Sequence, residues 1–173
     1  MDNSEMKNFE NLLHDADARQ TFLRDSDAAT LLTAARIYFR KGFALRTSLY
    51  PKSQRPELEA CLRLCCTFLQ NLGERRQKEI GALTGKKREA LYNQYHSVIK
   101  SFTQALHCSD SLFVRLRVCS RDELLEYAIH GAVTFGGGNP EVEKDSDKHR
   151  VGNIRLHAFE ITLRAMSELD SRG

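Results

Sequence analysis

The sequence predicts an all-α fold, a single bundle-like domain of seven to nine helices. Three observations carry that expectation. Apolar residues recur at helical spacing along almost the whole chain. Only three prolines interrupt it, and three of its ten glycines fall together at Gly136 to Gly138, so long stretches are free to form helix. With 173 residues, 41% hydrophobic and 28% charged, the chain is long enough for a real core and globular in composition.

A short helix is expected after Ser4, with Met6, Phe9 and Leu13 inward, and another over Asp17 to Arg24. The clearest helix follows Asp27, a natural N-cap. Its apolar stripe runs Ala28, Leu31, Leu32, Ala35, Tyr38, Phe39, Gly42, Leu45 and Leu49, and Pro51 stops it. Thr33, Arg36, Arg40 and Thr47 take the opposite face. Pro56 opens the next helix, whose stripe is Leu58, Cys61, Leu62, Cys65, Leu69 and Leu72, with Gly73 as its end. A short helix is expected over 74–83, and a long one from Lys86 to His107 with Leu91, Tyr95, Val98, Ile99, Phe102 and Leu106 inward.

Leu112 to Cys119 alternates as a strand would, yet a lone strand has no partner in a helical chain, so a short helix is preferred. Ser120-Arg-Asp-Glu123 is a capping box that opens a helix with Leu124, Leu125, Ala128 and Ile129 inward. From Phe135 to Arg150 glycines, Asn139-Pro140 and alternating acids read as a flexible connector. The last helix is apolar on two faces, through Ile154, Ala158, Ile161, Ala165 and Leu169 on one and Leu156, Phe159, Leu163 and Met166 on the other. Such a helix is usually sandwiched. The organisation expected is an acidic helical segment over 1–26, a helical core over 27–134, a connector over 135–150 and a C-terminal helix over 151–173.

The net charge of +3 hides a strong asymmetry. Residues 1–30 hold three basic side chains against seven acidic, whereas residues 31–88 hold thirteen against four. Residues 89–120 are nearly balanced, and 121–173 hold seven against ten. A basic middle between acidic ends attracts polyanions. Its densest part is Arg75, Arg76, Lys78, Lys86, Lys87 and Arg88, and the exposed face of the earlier helix adds Arg36 and Arg40, with Lys41 and Arg46 flanking. Lysine and arginine neutralise phosphates and release counterions, which drives binding without sequence specificity. Tyr50 and Tyr92, if exposed, would stack bases. Single-stranded RNA is the expected partner, with Arg36, Arg40, Arg75, Arg76, Lys78, Lys86, Lys87 and Arg88 as its contacts. A protein-interaction adaptor docking an acidic segment is the alternative.

The remaining chemistry-bearing residues point away from catalysis. Six histidines are scattered, and no local motif joins any of them to a serine or cysteine nucleophile. Gly136 to Asn139 leads into acidic residues, unlike a phosphate loop. Cys61, Cys65 and Cys66 with His107-Cys108 are the set most like zinc ligands, but the first three sit in an apolar stripe where cysteine behaves as a small hydrophobe. No enzyme activity, cofactor or metal is expected. No apolar run reaches the length of a membrane span, and the polar start is unlike a signal peptide. Five cysteines in such a chain read as reduced thiols, which suits the cytoplasm.

Thr30 to Thr33, Ala60-Cys61 opening a leucine-rich helix, Leu91 to Asn93, Leu106-His107 and the capped Arg121 to Leu125 together resemble the helical core domain of mononegavirus transcription cofactors. These are the C-terminal domain of the filovirus transcription activator and the core of the pneumovirus antitermination factor. The resemblance covers residues 27–135. It implies RNA binding in the host-cell cytoplasm, contact with a viral nucleoprotein or phosphoprotein, and self-association. The zinc finger that precedes the core in both families has no counterpart in residues 1–30.

Overall fold

The computed structural model describes residues 9–47, 55–106 and 115–173, and among them it is helical with no strand. A 3₁₀ turn at Glu10–Leu12 leads to α1 (Ala16–Asp25), α2 (Ala28–Thr47), α3 (Arg55–Ala82), α4 (Gly85–Ala105), α5 (Arg121–Phe135), α6 (Pro140–Glu143) and α7 (Lys148–Ser171). Residues 115–118 form a further helical turn, which settles that part of the Leu112–Cys119 segment as helix. No helix among the described residues is long and apolar enough to cross a membrane. Met6, Tyr50, Pro51, His107 and Cys108 lie outside the described residues, as do the side chains of Leu45, Arg46 and Thr47.

The chain forms two compact units, residues 1–71 and 72–173, where the sequence suggested one domain. The division falls within α3.

In the first unit, local caps start the helices and aromatic packing fills the centre. Asp15 accepts from the amide of Ala18 at 2.9 Å and Asp27 from that of Thr30 at 2.7 Å, which satisfies otherwise orphaned N–H groups. Phe22 meets Phe9 and Phe68 edge-on, each at 5.6 Å between ring centroids. The buried Tyr38 hydroxyl donates to the Phe9 carbonyl. The stripe of α2 is buried at Leu31, Ala35, Tyr38 and Phe39, with Ala34 and Ile37 added and Ala28 left outside. Cys61, Cys65 and Cys66 are buried in α3. Burial pushes the Cys65 thiol well up and that of Cys66 to about 12, so both are held as neutral thiols.

Gly73 does not end its helix. α3 runs through it to Ala82 and absorbs the separate short helix expected over 74–83. A Cβ at Gly73 would lie 2.8 Å from Val133 Cγ2 of α5, so the glycine serves close helix approach rather than a stop.

The second unit is built on α5 and α7. The capping box at α5 is present as expected: Ser120 Oγ accepts from the Glu123 amide at 3.2 Å, and Glu123 Oε2 accepts from the Ser120 amide at 2.8 Å. Ala128, Gly131 and Ala132 of α5 are buried, as are Ala158, Ile161, Ala165 and Met166 of α7. Thr162 Oγ1 donates to the Ala128 carbonyl at 3.0 Å between the two helices. Arg172, after α7, donates to the carbonyls of Leu116, Arg117 and Cys119 and fastens that helical turn to the end of α7.

Residues 135–150 carry more structure than a connector. Asn139 accepts from the Glu141 amide and opens α6, with Pro140 in its first turn. Val142 is buried, and Glu143 receives two bonds from Arg155 of α7, at 2.9 and 2.6 Å. The alternating acids therefore act as local caps and ion-pair partners, where the polar composition suggested open chain.

Candidate nucleic-acid interface

The expected phosphate-binding residues divide between the units. Arg36 and Arg40 lie on α2 in the first, Arg36 half-buried and Arg40 exposed. Arg75, Arg76 and Lys78 lie on the last turns of α3, and Lys86, Lys87 and Arg88 on the first turn of α4, all in the second unit. Two residues, Leu83 and Thr84, separate α3 from α4.

Arg76 turns away from solvent. Its guanidinium donates to the buried carboxylate of Glu126 on α5 and lies over the Tyr95 ring of α4 at 4.7 Å. A buried carboxylate needs such a partner, and with its charge spent there Arg76 leaves the outward-facing set. Arg75 is half-buried and also engaged, while Lys78 is exposed.

Lys86, Lys87 and Arg88 are all exposed, and none forms an ion pair among the described residues. Their position runs against helix electrostatics. The start of a helix carries partial positive charge and favours acids, yet the first turn of α4 has none. Thr84 occupies the N-cap without a side-chain bond to the helix. Three consecutive cations thus surround a helix start whose amides have no side-chain cap, an arrangement that favours an anion. Glu89 is the nearest acid in sequence.

Beyond that point α4 carries a ledge. Arg88, Tyr92, His96, Ile99 and Thr103 fall at steps of four and three, hence along one face, and all five are exposed. Tyr92 is 56% exposed and stacks on His96 with ring centroids 5.5 Å apart and planes 25° from parallel. Val98, Phe102 and Ala105, on the other side, are buried. Ile99, expected inward, therefore points out.

The sequence reading had Tyr92 as a stacking candidate but missed its partner His96. The signal was present: an aromatic and a histidine four apart, one turn beyond a basic helix start, share a helix face. Among the described residues no three His, Cys, Asp or Glu side chains gather as a metal site would require. Comparison with protein-family models, curated proteins and solved structures finds no match for this chain.

Proposed function

We propose that this protein is a non-enzymatic RNA-binding regulator that holds single strands along the exposed face of α4. The observation that carries the reading is an exposed cationic helix start whose Arg88 shares one face with a stacked Tyr92–His96 pair. Cations neutralise the phosphates, and a flat aromatic ledge takes any base, because every base has a π-face. Sequence-independent binding to single strands follows. Lys78 extends the cationic side, and Arg36 with Arg40 lie on the first unit as further basic residues.

The resemblance to mononegavirus transcription cofactors supports a place in transcription, in the host-cell cytoplasm. It adds a nucleoprotein-like or phosphoprotein-like partner and self-association to the proposal. An adaptor that docks an acidic protein segment would use the same cations. The aromatic pair weighs for RNA, since an acidic peptide has no need of it.

Replacing Tyr92 and His96 together with alanine tests the reading. Affinity for a single-stranded oligonucleotide should fall roughly tenfold or more, as expected for lost base stacking, with little change in its salt dependence. Both side chains are exposed, so the fold should hold. Undiminished RNA affinity in the folded variant would remove the ledge from the interface. Weak RNA affinity in the unaltered protein, together with tight binding of an acidic peptide, would favour the adaptor.

A further inference from the structure

Only two serines or threonines in the sequence stand three residues after an arginine, Ser120 and Ser167. Ser120 alone has a second arginine five residues before it, in Arg115-Leu-Arg-Val-Cys-Ser120. That spacing has a chemical meaning. An arginine-directed serine kinase holds its substrate extended, and carboxylates of its cleft take the guanidinium groups that precede the acceptor, so charge at those positions selects the serine.

The fold separates the two serines. Ser167 lies inside α7, half-buried and next to the buried Met166, where an extended backbone is out of reach. Ser120 is exposed, stands ahead of α5 and has extended backbone angles, φ −68° and ψ 166°. Arg115 and Arg117 are exposed as well, and neither forms an ion pair among the described residues. Val118 between them and the serine is 81% exposed. Residues 115–118 make a single helical turn, of which only Leu116 is buried, and its last amide, that of Cys119, reaches the Leu116 carbonyl at 3.4 Å. One turn has little helical stability of its own, so it opens readily.

We propose that Ser120 is a phosphorylation site for an arginine-directed serine kinase, with Arg115 and Arg117 as the residues the kinase reads. In the transfer Ser120 Oγ bonds to the γ-phosphorus of ATP. The bond from that phosphorus to the β,γ-bridging oxygen breaks, ADP leaves, and the hydroxyl proton passes to the kinase's catalytic carboxylate. The product has a place in the fold. Arg172 already donates to the carbonyl of Cys119, the residue before Ser120, so its guanidinium stands beside the new phosphate. The phosphate also lies at the start of α5, where negative charge is favoured, and it can take over the Ser120 amide that Glu123 now holds. Asp122 and Glu123 oppose it, and Arg115, Arg117, Arg121 and Arg172 outnumber them.

The test is phosphorylation of the folded full chain by ATP and a serine kinase that selects arginine three and five residues before its acceptor, followed by mass spectrometry of the peptides. One phosphate should appear, on Ser120, with none on Ser167. Ser120→Asn should take up no phosphate and keep its helix, because asparagine caps as well as serine. Arg115→Gln combined with Arg117→Gln changes exposed positions only, and the rate should fall roughly tenfold or more. Circular dichroism confirms that both variants are folded. A folded chain that takes no phosphate on Ser120, or takes it only once urea has unfolded the protein, would overturn the proposal. So would an undiminished rate in the double arginine variant, or equal labelling of Ser167.

Discussion

α4 and α7 both pack against α5, but on different terms. Beside a stacked Phe135–Phe159 pair, small residues bring the α5 and α7 backbones close together, as at Gly131, where a Cβ would sit 2.2 Å from Thr162 Oγ1 and 2.7 Å from the Ala158 carbonyl oxygen. α4 instead sends in Val98, Phe102 and Ala105 and leaves Tyr92 and Ile99 exposed. A small-residue seam spends a helix wholly on holding the fold, because dispersion and close packing use the whole facing surface. A helix anchored by a few large side chains keeps its opposite face for other work. α7 holds the second unit together, and α4 both belongs to it and offers a surface.

The largest effect that would sharpen this contrast is at Arg76, which joins α3 to Glu126 of α5 and to Tyr95 of α4. Arg76→Met leaves the Glu126 carboxylate buried without its cation. A loss of about 3 kcal/mol is expected in urea unfolding at neutral pH. A loss below about 1 kcal/mol would mean that solvent or His130 compensates, and that α4 is held by its apolar contacts alone.

A smaller effect probes α7. Gly131→Ala forces the seam apart and should cost about 2 kcal/mol by overpacking. Gly152→Ala on α7 is the control, since a Cβ there meets nothing within 4 Å. It should stabilise by up to about 1 kcal/mol through helix propensity. Equal effects at the two glycines would contradict the tight seam.

Local signals were the legible ones. The Asp27 cap, the Ser120–Glu123 box and most of the apolar surface of the last helix were readable because each depends on residues within a few positions, although Leu156, expected inward, is 61% exposed. The misreadings share one cause, a residue whose role is fixed by a distant partner. Gly73 looks like a helix stop in sequence, and only Val133, sixty positions on, makes it a contact. Arg76 looks like its neighbour Arg75 until Glu126 is placed beside it. Asn139 to Asp147 looks like open chain until Arg155 and the burial of Val142 are known. Of the candidate interface, the start of α4 was visible as charge, and Tyr92 as a stacking residue. His96 needed the helix faces, because only its stacking on Tyr92 gives it a role.

If the start of α4 holds RNA phosphates, binding must weaken with salt in proportion to the phosphates contacted. With about four phosphates contacted, log affinity for single-stranded RNA should fall with log salt at a slope near −3, from roughly −0.7 per contact. Replacing Lys86, Lys87 and Arg88 together with glutamine should weaken binding to all sequences alike and flatten that slope by about 1.5 to 2. The variant should fold, and be a few tenths of a kcal/mol more stable, since it relieves cations from a helix start. A folded triple variant with an unchanged slope would mean that the start of α4 does not hold RNA phosphates.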